Sequence, residues 1–162
     1  MQAIRTDITN LIRPSWLTSV PHKLGSAGHG KLKADQWRAL GTTFLPASLI
    51  CLWSCENPKD PWSVQCRKIC GVTMSLISAV SIACSQTTST KHAEHYLQHM
   101  QSYLDGLKEL FPSYKLRPNH HMALHLHKYI KFYGPVHSWW TFPFKQVIGI
   151  LQHISTNYKP GE

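Results

Sequence analysis

Acidic side chains are what this sequence has least of. Eight Asp and Glu stand against seventeen Lys and Arg in 162 residues, a formal charge of +9. Between Glu109 and Glu162 there is no acid at all. A two-metal catalytic centre needs carboxylates converging on ions about 4 Å apart. After Asp60 the chain offers only Glu94, Asp105, Glu109 and Glu162. Glu109 sits beside apolar Leu110 at a helix end, and Asp105 reads as a solvated face residue. Other catalytic patterns are also missing. No G-x-S-x-G supplies a nucleophile elbow, no HExxH occurs, and the glycines at 25, 28 and 30 follow no strand, so they make no phosphate loop. The residue chemistry alone names no enzyme.

No secretory leader is expected either. MQAIRTDITNLIRPSW has no apolar core and carries Asp7, which excludes a signal peptide. The expectation is an intracellular, non-secreted protein whose five cysteines are reduced thiols. Long apolar runs are scarce. The one membrane candidate, ICGVTMSLISAVSIAC at 69–84, is shorter than the roughly twenty residues a span needs. Ser75, Ser78, Ser81 and Ser85 also recur along it at helical spacing. This stretch is read as a buried central helix, with no membrane partner.

Period-two alternation is scarce as well, so the fold is read as mainly α, a single helical domain over 1–162 with five to six helices. A brief helix over 3–13 ends at Pro14, and the glycine-rich HKLGSAGHGK at 22–31 is a loop. Trp37, Leu40, Phe44, Ala47 and Cys51 then recur at steps of three and four, the stripe of an amphipathic helix kinked at Pro46. The prolines of ENPKDPW mark a loop, and the apolar helix is placed at about 67–86. The clearest helix starts at Thr90, capped by Ser89 or Thr90 and closed by Pro112. Its stripe is Ala93, Tyr96, Leu97, Met100, Tyr103, Leu104, Leu107 and Leu110. Pro118 opens a further helix that Gly134 and Pro135 stop, and Pro143 leads into a last one ending near Asn157.

Three residue groups could carry a function. Cys51, Cys55, Cys66 and Cys70 form a C-x3-C, x10, C-x3-C pattern able to close a tetrahedral zinc site. The tighter usual spacing, and the place of Cys51 on an apolar stripe and of Cys70 in an apolar helix, favour thiols that pack as small hydrophobes. His92, His95 and His99 share one face beside the leucines and read as a solvated flank. His121 and His125, one turn apart, have a spacing that can hold a metal, with no third ligand evident. The last third is basic and aromatic: Lys115, Arg117, Lys128, Lys131 and Lys145 stand there without acids. Such a balance suits an anionic partner such as DNA.

The stretch HMALHLHKYIKFYGPVHSWWTFPFKQVIGILQ, from His121 onward, resembles the uncharacterised C-terminal domain that accompanies CACTA-type (En/Spm) transposases of plants and fungi. That family has a His-x3-His pair, a helix, Gly-Pro-Val, a tryptophan-containing aromatic run, and Pro-Phe-Glu-Arg at a helix start. His121, His125, Gly134, Pro135, Val136, Trp140, Pro143 and Phe144 fall into this pattern without a gap. GKLKADQWRALGTTFLPASLI resembles the family's Leu-Lys-x-x-Asp/Glu-Trp block. TKHAEHYLQHM and LKELFPSYKLRPNHH are similar to its fungal, mushroom-type members. The likeness is strongest over 22–54 and 89–162.

The resemblance implies transposition by a DDE nuclease, with an RNase H-like core holding two Mg ions. This chain would then be its helical tail, the core aspartates lying upstream of Met1. The family's Pro-Phe-Glu-Arg glutamate, the candidate third ligand, is replaced here by Lys145, and the arginine by Gln146. A lysine donates hydrogen bonds and repels Mg. The expectation is therefore a truncated, non-catalytic, nuclear remnant with no cofactor, Mg entering only if the chain were joined to an upstream core. Its expected partner is DNA, and a transposase core or a second copy could meet the leucine face of 93–110. Two alternatives stay open: a domesticated helical interaction module using that face, and a zinc-stabilised helical domain using the cysteines.

Overall fold

The structure is a computed structural model that describes residues 2–12, 14–15, 17–26, 32–54, 60–141 and 147–151. Among the described residues the main α-helices are α1 (Gln2–Asn10), α2 (Ala34–Ala39), α3 (Leu45–Ser54), α4 (Pro61–Ala83), α5 (Thr90–Leu110) and α6 (Pro118–Tyr133). Among the described residues there is no strand. The mainly α expectation agrees with this architecture. Residues 147–151 are helical as well and belong to the helix expected after Pro143.

Helices α4, α5 and α6 form an antiparallel three-helix layer. Lys68 Nζ meets Glu109 Oε1 at 3.2 Å near the start of α4 and the end of α5. Near the start of α5 and the end of α6, Glu94 pairs with Lys131, also at 3.2 Å. Between these ends Ala79, Ala83, Ala93, Tyr96, Met100, Leu104 and Ile130 make the core. Small side chains let α4 and α5 approach closely, most of all where Gly106 faces Val72. Tyr96, only 2% exposed, donates its hydroxyl to the Ala123 carbonyl at 2.9 Å and so ties α5 to α6. Burial pushes its phenol up to about 12.

The caps follow from local chemistry. Ser89 Oγ accepts the His92 backbone N–H at 3.2 Å, and a serine in this position satisfies an otherwise unpaired first-turn donor. Helix α4 begins at Pro61, earlier than the expected 67. Asp60 Oδ2 accepts from the Ser63 N–H at 3.0 Å, and Pro61 occupies the first helical position, where its missing N–H costs nothing. The ENPKDPW prolines thus mark a helix start as well as a loop.

A second core joins the N-terminal elements. Ile8, Val20, Leu24, Ala39, Leu40 and Phe44 are buried together, and Arg5 Nε donates to the Leu24 carbonyl at 2.9 Å. The kink expected at Pro46 takes the form of a π turn over Leu40–Phe44 between α2 and α3. Pro46 has no N–H to give the helix ladder, and a wider turn just before it accommodates the lost bond. The turn also shifts the helical phase. Leu40 and Phe44 are buried as expected, but beyond them Ser48 and Leu49 point inward. Ala47 and Cys51 are exposed instead, as is Trp37 at the other end of the stripe. One extra residue per turn turns the later side chains by about 100°, a single residue's rotation.

The buried central helix is corrected to one covered on a single face. Of α4 only Ser63, Cys66, Ala79 and Ala83 are buried, and most residues of 69–82 are half-exposed. With its first turns counted, α4 reaches 23 residues and is long and apolar enough, by length and composition, to cross a membrane. Two of its hydroxyls are satisfied within the helix: Thr73 Oγ1 donates to the Ile69 carbonyl and Ser75 Oγ to that of Gly71. Such back-bonding lets polar residues sit on an apolar helix at little cost.

Candidate nucleic-acid interface

The basic third is organised by α6. Its start is fixed by a reciprocal pair: Arg117 N–H donates to His120 Nδ1 at 2.9 Å, and His120 N–H donates to the Arg117 carbonyl at 2.9 Å. His120 therefore carries its neutral-state proton on Nε2. Its end is fixed by Gly134, whose φ of 75° suits a residue without Cβ. The Gly134 N–H closes the helix onto the Ile130 carbonyl at 3.1 Å.

Ile130 is buried on the inner face of α6, and Ala123, Leu124 and Leu126 pack against the same core. The opposite face holds His121, His125, Lys128 and Phe132 at steps of four, three and four. These rotations place them within one narrow stripe, and over about 1.5 Å per residue the stripe runs most of the helix length. Phe132 is 79% exposed and Tyr133 65%. Beyond Gly134, Trp139 folds back so that its Nε1 donates to the Gly134 carbonyl at 3.3 Å. Its ring then lies edge-on to Tyr129, with centroids 6.2 Å apart, and tilted to Tyr133 at 6.3 Å. Three aromatic rings thus cluster at the end of a stripe that also carries a cation.

The five expected DNA-binding residues fare differently. Lys115 and Arg117 are exposed at the entry to α6, and Lys128 is exposed on its stripe. None of these three has an acidic partner among the described residues. Lys131 is drawn aside by Glu94 at 3.2 Å, an exposed pair that salt screens. Lys145 lies outside the described residues, as do Pro143 and Phe144. Of the other motif residues, Pro135 precedes a short 3-10 turn over Val136–Ser138. Trp140 is half-buried, with the Arg38 guanidinium 6.0 Å from its ring. The sequence reading missed the aromatic members, Tyr129, Phe132, Tyr133 and Trp139. Phe132 is legible from the four-three-four spacing it shares with His121, His125 and Lys128, whereas Tyr129, Tyr133 and Trp139 are brought together only by the return of the chain after Gly134.

The remaining groups are placed as follows. Cys51 is exposed, Cys66 buried and Cys70 half-buried; Cys55 lies outside the described residues, so the quartet is not seen as a whole. Burial pushes the Cys70 thiol up, which disfavours the thiolate a metal needs. The histidine flank is only partly solvated: His95 is exposed, but His92 is half-buried with its Nδ1 fully covered. The leucine face of 93–110 is turned inward, with Leu104 buried at 5% exposure and Leu107 half-buried. Ala93, Tyr96, Met100 and Leu104 of that face are buried in the core, while Leu97, Leu107 and Leu110 stay half-exposed. Comparison with family models, with curated proteins and with solved structures found no match to this chain.

Proposed function

We propose that this chain is a non-catalytic, transposase-derived nucleic-acid-binding module, acting in the nucleus and reading DNA through the outer face of α6. One observation carries the proposal. In a region without acids, Lys128 and the 79% exposed Phe132 share one face of α6, and Lys115 and Arg117 lie exposed at its entry. Cations follow a phosphate backbone, and aromatic faces stack on unpaired bases, so single-stranded DNA suits this face better than a duplex.

The test is fluorescence anisotropy with a labelled single-stranded oligonucleotide and its duplex, each titrated across a range of KCl. If Lys115, Arg117 and Lys128 neutralise three phosphates, log Kd should change with log salt at a slope of about 2 on single strands. Phe132→Ala should weaken binding roughly fivefold or more, the effect of losing one stacked base at about 1–3 kcal/mol. The fold should be unaffected, because this ring is mostly in water. A flat salt response, or equal affinity for Phe132→Ala and the parent, would refute the proposal.

A further inference from the structure

His121 and His125 meet on the outer face of α6. Their Nε2 atoms lie 3.0 Å apart, with the rings edge-to-face at a centroid distance of 4.7 Å. Neither ring has another hydrogen-bonding partner among the described residues. The neighbouring histidines of α6 differ. His120 uses its Nδ1 to accept from Arg117 N–H, and His127 Nδ1 donates to the Leu124 carbonyl at 2.6 Å. Those two rings are committed to the backbone. His121 and His125 are committed only to each other, on an outward face where His121 is exposed and His125 half-exposed.

Two metal–nitrogen bonds of 2.0–2.1 Å span about 2.9 Å at a right angle and about 3.3 Å at the tetrahedral angle. The observed separation falls between these values, so the two nitrogens are already spaced for one cation, and the ring that donates the hydrogen bond turns to aim its lone pair at the ion. In the metal-free pair one Nε2–H donates to the other Nε2. For both to ligate, the donor ring transfers that proton to its own Nδ1, a tautomer change that alters no charge. Imidazole is a ligand of intermediate softness, which selects Zn2+ and its neighbours Ni2+ and Cu2+ over Mg2+ or Ca2+.

We infer that His121 and His125 form an open, two-point Zn2+ site that clamps the first half of α6, its other coordination positions being left to water. This does not depend on the nucleic-acid reading, since it concerns the metal-free surface and the ion alone. The experiment is isothermal titration of the full chain with ZnCl2, paired with nitrogen-detected NMR of the histidine rings. The expected result is saturable binding of one Zn2+ per chain, with Nε2 shifts confined to two rings. His121→Gln and His125→Gln should each weaken binding at least tenfold, while His95→Gln on the exposed flank of α5 leaves it unchanged. Circular dichroism confirms that each variant keeps its helices, as exposed substitutions should. Unchanged affinity in the two histidine variants would overturn the inference. So would binding lost in a Cys51→Ser/Cys55→Ser variant but kept in both histidine variants, or no saturable binding below millimolar Zn2+.

Discussion

Gly106 decides how closely α5 can lie on α4. A Cβ built at this position would run into Val72 Cγ2 and reach 3.4 Å from Cγ1. Two effects of opposite sign therefore meet in Gly106→Ala. Inside a helix, alanine is favoured over glycine by about 1 kcal/mol. Forcing a methyl group into a packed interface costs about 1–3 kcal/mol. Val72 cannot easily give way, because a β-branched side chain in a helix holds one χ1 rotamer about 90% of the time, and leaving it costs roughly 1.3 kcal/mol. The net expectation is a loss of about 1 kcal/mol, or a Tm lower by about 2–4 °C for a chain of this size. In a Val72→Ala background the obstruction is gone, and the same Gly106→Ala change should stabilise by about 1 kcal/mol. Urea denaturation followed by circular dichroism at 222 nm, run on all four members of the cycle, reads the coupling directly. A coupling of about 2 kcal/mol is expected for residues in contact. If Gly106→Ala has the same effect in both backgrounds, the close approach of α4 and α5 at this point is refuted.

Three further perturbations follow from single contacts. Ser89→Ala removes the acceptor for the His92 N–H and should cost about 1 kcal/mol in urea melts, with Ser89→Asp restoring most of it. Gly134→Ala has free space around its new methyl but must adopt φ 75° and ψ −151°, a region open essentially to glycine alone, so a loss of about 1–3 kcal/mol is expected from backbone strain. A neutral or stabilising result would mean that α6 does not end there in a positive-φ cap. The phenol of Tyr96, raised to about 12 by burial, stays protonated while the unfolded chain ionises near 10. Stability should therefore be intact below pH 10 and fall as pH rises from 10 towards 12. Burial also raises the Tyr103 phenol, so spectrophotometric titration at 295 nm should show Tyr96 as the last to ionise, and Tyr96→Phe should abolish the step near 12.

The sequence by itself determined the helical class, because period-two alternation is scarce and apolar residues return every three or four positions. It also determined most helix ends: Ser89 caps α5, Phe111 and Pro112 follow its last turn, and Gly134 and Pro135 stop α6. These signals are local, since a cap or a proline acts on the turn it touches. Asp60 and Pro61 were equally legible as a helix start, but the surrounding prolines read more strongly as a loop. What the tertiary structure decided was phase and coverage. The π turn before Pro46 moved Cys51 outward and Ser48 inward, because one inserted residue rotates everything beyond it. Periodicity shows that α5 has a leucine stripe, yet only the packing around it shows that Ala93, Tyr96, Met100 and Leu104 are covered while Leu97, Leu107 and Leu110 stay half-exposed. In the same way, the spacing of His121 and His125 allowed them to meet, and the side-chain rotamers on the outer face of α6 brought their nitrogens to 3.0 Å. A sequence fixes which residues can share a face; which faces are covered, and which side chains turn toward each other, depends on the elements that pack around them.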